Sequence, residues 1–291
     1  MVKAIFLASR PKTLAAAVFP VAVGTTLAKA MGFELKLDYV AIALVSALLI
    51  QIATNFFNDA IDFEKGADNS DRLGPSRAVQ SGWMTSELMK RLGFSCLAAT
   101  FLLALPVIYN FGWPVLLLCL VCLYFAYGYT GGPFPLAYKG LGEVFVVMFF
   151  GVVAVGGSFF LHSEALRLEG VVAGLQIGFL STVLLAINNL RDINQDADAG
   201  KKTLVVRLGK KFGRWEILCL SCSPYLMGLF WVKHSLGAFL LPLLVIPISF
   251  LLCLKIFKHE PSKVYNKYLG LGALQLMMFA LMLSMGFLWM Q

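Results

Sequence analysis

The sequence predicts an all-α, polytopic membrane protein, and three observations predict it. Of the 291 residues, 59% are hydrophobic and only 14% charged, with a mean hydropathy of +0.80; a soluble domain carries about 25% charged residues. The apolar residues come in continuous runs of about 20, the length that crosses a bilayer as a helix, and not in the alternating pattern of a β-barrel strand. The basic residues gather on alternate connections between these runs, as the positive-inside rule requires.

Taken in order, nine spans are expected at about 12–30, 38–58, 86–108, 114–131, 141–161, 170–190, 213–232, 236–256 and 264–289. The stretch from Met1 to Arg10 is too short for a cleavable signal, and Leu14 to Ala28 continues as the first span. With the N-terminus inside, the cytoplasmic segments hold 20 of the 24 Lys and Arg residues. The other side keeps Lys29, Lys36, Arg167 and Lys233. The net charge of +8 is therefore mostly topology, and nucleic acid is not the expected partner. The whole chain, 1–291, reads as a single membrane-embedded domain with no linker or low-complexity tract.

Cysteine and histidine add little. Cys119 and Cys122, and Cys219 and Cys222, form two CxxC pairs, but the predicted topology sets them at opposite depths, so they cannot share one ion. They read as small apolar packing residues. His162, His234 and His259 are scattered at span ends or in a loop and offer no ligand spacing. Glu143 and Glu164 read as span-end residues.

Acid is the exception that carries information. Asn55-Phe-Phe-Asn58-Asp59-Ala-Ile-Asp62-Phe-Glu64 with Asp68 forms one cluster, and Asn188-Asn189-Leu-Arg191-Asp192-Ile-Asn-Gln-Asp196-Ala-Asp198 forms another. Together they contain seven of the 16 acidic residues. Each follows directly on a hydrophobic run and faces the predicted cytoplasmic side. Carboxylates this close repel one another unless a cation holds them, which points to a hard divalent metal such as Mg²⁺. Asp59 and Asp62 are three apart, and Asp192 and Asp196 four apart, so a helix continuing through either motif would show each pair on one face. Gly66, Gly74, Pro75 and Gly200 then break the segments.

The cations nearby (Arg72, Arg77, Arg191, Lys201, Lys202 and Arg207) supply what a bound diphosphate needs around it. If the chain carried by the diphosphate is allylic, its departure leaves a carbocation, which aromatic faces stabilise and a water-free site protects. Tyr124-Phe125-Ala126-Tyr127-Gly128-Tyr129 is a candidate wall for such a site; an interfacial aromatic belt is the competing reading of each tyrosine. The two clusters also share a layout. Asp59 and Asp192 lie 133 positions apart, and Arg77 and Arg207 lie 130 apart. An internal duplication over 38–86 and 170–214 would explain this and would set the two loops opposite each other around a central cavity.

These residues resemble a known family. The first cluster is similar to the NDxxD motif of the UbiA superfamily of intramembrane prenyltransferases. Arg191-Asp192-Ile-Asn-Gln-Asp196 followed by Gly200-Lys201-Lys202-Thr203 and Arg207 is similar to its second motif. Three further stretches resemble the branch acting on 1,4-dihydroxy-2-naphthoate. They are Ser9-Arg10-Pro11-Lys12-Thr13, Asp71-Arg72-Leu-Gly74-Pro75-Ser-Arg77, and Tyr129-Thr-Gly-Gly132-Pro133 with Gly140-Leu-Gly142-Glu143 and Phe149-Phe150-Gly151. The likeness covers nearly the whole chain.

The resemblance implies a nine-helix fold around a cavity open to the cytoplasmic side and to lipid, in a bacterial cytoplasmic (inner) membrane. It implies Mg²⁺ as cofactor, with polyprenyl diphosphate and an aromatic acid as substrates. Asp59, Asp62, Asp68, Asp192 and Asp196 would serve the metal, with Asp68 standing six residues after Asp62 where many members have four. Asn55, Asn58, Arg72, Arg77, Asn188, Arg191, Lys201 and Arg207 would bind substrate, and Lys139 would contact diphosphate or polarise substrate. Tyr129 would lie beside the reacting carbon, and Arg10 would help hold the acceptor or its carboxylate. The implied reaction attaches the prenyl group to the naphthoate ring with loss of CO₂ and diphosphate, giving demethylmenaquinol for menaquinone (vitamin K2) synthesis. The alternatives are another acceptor within the superfamily, such as 4-hydroxybenzoate, another dihydroxynaphthoate or a tetrapyrrole, and a cation-coupled transporter. A CDP-alcohol phosphotransferase would carry a DG…AR signature, which this sequence lacks.

Overall fold

The structure is a computed structural model that describes residues 2–68 and 72–289. Among these residues every regular element is a helix. A short α1 (Val2–Ala8) leads to α2 (Pro11–Ala30), which Pro11 opens from the position where its missing N–H costs nothing. α3 (Leu37–Glu64), α4 (Ser86–Phe111) and α5 (Trp113–Gly128) follow. Thr85 and Thr203 cap α4 and the helix that starts at Leu204 by accepting from the N–H groups of Leu88 and Val206.

The next span, Gly142–Ser163, is not a regular α-helix. α6 (Gly142–Val146) runs into a π-helical stretch, Val147–Gly156, and then into α7 (Gly157–Ser163). This irregular stretch lies along α8 (Leu168–Arg191) at glycine-to-glycine distance: a Cβ on Gly151 would stand 2.3 Å from the Gly174 carbonyl oxygen. Small residues permit such backbone approach inside a membrane, where dispersion and not water release drives helix association.

α8 is the axis of the bundle, with 72% of its apolar stretch buried against 22% for α4. Its Ala173, Ile177 and Leu180 join one core with α2, Phe159, Leu276 and Phe279, while Val183, Ile187 and Leu190 join another with Val205, Ile217, Leu252 and Ile256. A short α9 (Ile193–Asp198) follows, then α10 (Leu204–Met227), α11 (Leu236–Leu243), α12 (Ile246–Lys258) and α13 (Tyr265–Phe287).

Seven helices among the described residues are long and apolar enough to cross a membrane. The expected span at 236–256 is two helices, α11 and α12, bent by 41° at a break after Pro242. The expected span at 114–131 is the shorter α5, of 16 residues. The span expected from 213 starts earlier, at Leu204, and is kinked at Gly209, whose φ of 86° lies outside the helical region. The expected all-α membrane fold is found; its helices are more broken than a count of nine continuous spans allows.

A two-part candidate active site between the acid motifs

α3 runs past its expected end and carries Asp59 and Asp62 inside the helix. α8 stops at Arg191. Asp192 caps it with φ −96° and ψ 12°, and Asp196 follows one turn later in α9. The expectation of one helix continuing through the motif holds for the first cluster and fails for the second. Even so, both clusters meet at one polar cavity of about 120 Å³, whose walls include Asp62, Asp68, Asp192 and Asp196 with Arg10, Arg72, Arg77, Arg191 and Lys201. Four carboxylates thus face five cations.

Each acid has a definite partner. Asp62 accepts a hydrogen bond from the Tyr138 hydroxyl at 2.9 Å and lies 3.6 Å from Nη2 of Arg77. Asp68 is paired with Arg72 and, at 3.1 Å, with Nε of Arg77. Asp192 takes both Nε and Nη2 of Arg191, at 2.7 and 2.6 Å. Asp196 stands 3.5 Å from Nζ of Lys201. Among the described residues its Oδ2 is buried without a hydrogen-bond partner, as are Nη1 of Arg77 and Nη2 of Arg10. Buried polar atoms in native structures are nearly always satisfied, and these three, on side chains that line the cavity, are available to a ligand there.

Burial acts on the groups of the loops. It pushes the Asp196 carboxyl up to about 6, against the pull of Lys201 and with help from Asp192 and Asp62. It lowers Arg72 to about 10, with Arg10 as the next contributor. For Lys201 burial works against the charge, but Asp62, Asp196 and Asp192 outweigh it and raise the pKa.

Three expected residues stand elsewhere. Asp59 is buried and turned away from the cavity; its two oxygens accept the N–H groups of Ala78 and Val79, at 2.9 and 3.1 Å, and so anchor the loop that carries Arg77. Lys139 is exposed beside the Phe134 ring and does not line the cavity. Arg207 is also exposed, donating to the Lys202 and Lys139 carbonyls at 3.0 and 2.9 Å, which fastens two loops together. Among the described residues no three acid, His or Cys side chains converge as a ready-made metal cage. Asp71, which opens one of the resembling stretches, lies outside the described residues.

Sequence reasoning passed over Tyr138, the residue beside Lys139. The 3₁₀ turn Leu136–Tyr138 turns Tyr138 inward, where Lys65 sits 4.0 Å over its ring and its hydroxyl reaches Asp62.

A second, apolar cavity of about 420 Å³ adjoins the first. Phe145, Phe149, Phe150 and Phe160 line it, together with Cys119 and Cys122; the six cysteines are free. Arg10, Asn58, Tyr129, Leu185 and Asn188 belong to the walls of both cavities. Asn55 lines only the apolar one and donates to the Ser9 carbonyl at 2.9 Å, tying α3 to the turn at Arg10. Arg10 itself is held in the left-handed region at φ 52°, a backbone state that costs a non-glycine residue about 1–3 kcal/mol.

A membrane helix bundle with a polar, doubly acidic chamber opening onto an aromatic-lined apolar one is the architecture of an intramembrane transferase acting on lipid substrates. The profile of the UbiA prenyltransferase family matches residues 17–283, and the chain belongs to that family. It is 39% identical over 250 residues to the 1,4-dihydroxy-2-naphthoate octaprenyltransferase of Escherichia coli, covering 81% of this chain and 80% of that one. It is 31% identical over 277 residues to the enzyme of the same name from Haemophilus influenzae, covering 88% and 86%. The fold matches a UbiA homolog from Archaeoglobus fulgidus bound to DMAPP and Mg²⁺, with a TM-score of 0.65, 14% identity, and 97% and 99% of the two chains covered. The chain is thus a prenyltransferase, and the transporter alternative falls away.

Proposed function

We propose that this chain transfers a polyprenyl group from polyprenyl diphosphate to 1,4-dihydroxy-2-naphthoate, releasing diphosphate and CO₂ and forming demethylmenaquinol. One observation carries the reading: the polar and apolar cavities share the walls formed by Arg10, Asn58, Tyr129 and Asn188. A diphosphate among the cations of the first and a prenyl tail in the second place the scissile C–O bond at that junction. The names of the relatives from Escherichia coli and Haemophilus influenzae support the acceptor.

The residues present fit Mg²⁺. It binds through one or two carboxylates, waters and substrate phosphate oxygens, and needs no all-protein cage. Asp62, Asp68, Asp192 and Asp196 would hold it, and the unpartnered Oδ2 of Asp196 is the clearest free ligand atom. When bound, the ion neutralises charge on the departing diphosphate. Arg72, Arg77, Arg191 and Lys201 orient that group and stabilise its growing charge.

At the junction, Tyr129 and Phe145 present aromatic faces to the allylic carbon as its bond to oxygen lengthens. The apolar walls exclude water, which would otherwise capture the cation. The unpaired Nη2 of Arg10 suits the acceptor carboxylate, fixing the ring so that its carboxyl-bearing carbon meets the cation. The new C–C bond takes the ring's electron pair, and the electrons of the broken C–CO₂ bond restore aromaticity. By the distribution of Lys and Arg, we place the polar cavity on the cytoplasmic side of a bacterial inner membrane.

The test uses purified protein with Mg²⁺, labelled farnesyl diphosphate and a panel of aromatic acids, with mass spectrometry of the products. Decarboxylating transfer to 1,4-dihydroxy-2-naphthoate is expected. Transfer to 4-hydroxybenzoate alone would overturn the acceptor assignment.

A further inference from the structure

Asn266 stands in the first turn of α13, 75 positions from Arg191 and 193 from Leu73, and hydrogen-bonds both. Its Oδ1 accepts from Nη1 of Arg191 at 2.6 Å, and its Nδ2 donates to the Leu73 carbonyl at 2.9 Å. Only this orientation of the amide satisfies both partners, since a guanidinium has no acceptor and a carbonyl no donor. Arg191 belongs to the second acid motif and Leu73 to the loop after the first, so one side chain from the last helix ties the two motif loops together.

What it ties is electrostatically awkward. A Cβ on Gly74 would lie 2.9 Å from Nη2 of Arg191 and 3.0 Å from Nη2 of Arg72. Two guanidinium groups, one from each motif, therefore crowd the same glycine. Like charges so close repel, and a shared anion removes the cost. Asp192 occupies one edge of Arg191 and Asn266 a second, so among the described residues three of its five N–H groups are committed, and two can meet that anion.

We infer that Asn266 is a positioning residue that holds Arg191 beside Arg72, so that arginines of both motifs clamp one diphosphate. The inference rests on the prenyl diphosphate reading of the site. Asn266 does not line the polar cavity and acts through Arg191 and the loop backbone.

The experiment measures Mg²⁺-dependent binding of inorganic pyrophosphate to detergent-purified protein by calorimetry, together with KM for donor and acceptor. Asn266→Ala weakens pyrophosphate and raises the donor KM about tenfold, the worth of one hydrogen bond to a charged group, and leaves the acceptor KM unchanged. Asn266→Asp keeps an oxygen for Arg191 but sets a carboxylate against the Leu73 carbonyl, so it weakens pyrophosphate too. In an Arg191→Ala background, Asn266→Ala adds nothing further. Wild-type pyrophosphate affinity in either single variant overturns the inference, as does an equal rise in both KM values with a lowered thermal midpoint. If the wild-type protein itself shows no Mg²⁺-dependent pyrophosphate binding, the reading of the site fails and the inference with it.

Discussion

The two acid motifs resemble each other in sequence but are built differently. In the first, a continuous α3 delivers Asp59 to two backbone amides and Asp62 to a tyrosine hydroxyl, while Asp68 is paired with both Arg72 and Arg77. In the second, the helix breaks at Asp192; among the described residues that side chain is held by its neighbour Arg191, and Asp196 keeps an oxygen with no partner. Buried carboxylates with several partners rigidify a site, whereas one lacking a partner is costly until a ligand supplies it. The acids of the first motif are thus tied into the surrounding fold, whereas the second leaves a carboxylate oxygen open at the cavity, the division expected of a scaffold and an exchanging half.

The largest effects test that division directly. Asp192→Asn keeps the shape of the side chain and an acceptor for Arg191 but removes the charge offered to the proposed Mg²⁺, and prenyl transfer is expected to fall by about 10²–10³-fold with a smaller loss of thermal midpoint than in Asp59→Ala. Asp59→Ala is expected to impair transfer as well, but by a different route. It leaves the buried N–H groups of Ala78 and Val79 unsatisfied, so the thermal midpoint falls and the loop bearing Arg77 becomes sensitive to limited proteolysis. Equal stability losses in the two variants would remove the distinction between scaffold and exchanging half.

Asp196 gives a smaller effect with an unusual sign. Burial raises its carboxyl from the ordinary 3.8 to about 6. Since the folded value lies above the unfolded one, the folded chain binds more protons between about pH 4 and 6 and loses stability as pH rises through that window. Above pH 6 the full cost is in place. With chelator present, Asp196→Asn is therefore expected to raise the thermal midpoint by a few degrees at pH 7.5 and to match the wild type near pH 4, while abolishing most transfer. An Asn variant less stable than wild type at pH 7.5 would mean that the Lys201 pairing outweighs burial.

Much of this was legible in the sequence because apolar run length and the placement of charge speak directly to membrane topology. The acid spacing was legible for a similar reason: Asp62, Asp192 and Asp196 reach one cavity whether their helix continues or breaks. Several things were hidden. The bend after Pro242 and the π-helical stretch at Val147–Gly156 depend on packing against neighbouring helices, which a hydropathy profile averages away. The retreat of Asp59 from the cavity depends on a loop 19 residues further on, whose amide groups carry no mark in a sequence. Asn266 was hidden because a lone asparagine at a span end looks like any other; only its contacts 75 and 193 residues away give it a role.

The smallest effects concern one adjacent pair, Tyr138 and Lys139, where sequence and structure divide most finely. Chemistry alone favours the lysine, a cation near a diphosphate. The 3₁₀ turn instead buries Tyr138 against Asp62 and leaves Lys139 at the surface, its ammonium beside the Phe134 ring and its carbonyl accepting from Arg207. Tyr138→Phe removes one hydrogen bond to a carboxylate, worth about 1.5 kcal/mol at the low end for a charged partner, and so lowers kcat/KM by about tenfold. Lys139→Ala leaves that carbonyl in place and removes an exposed charge, so kcat/KM should stay within about twofold of wild type at physiological salt, where surface charges are screened. The two variants measured side by side decide the matter, because they differ by one position in the chain and by the width of the turn in space. A larger loss for Lys139→Ala than for Tyr138→Phe would show that the turn inverts when the donor binds.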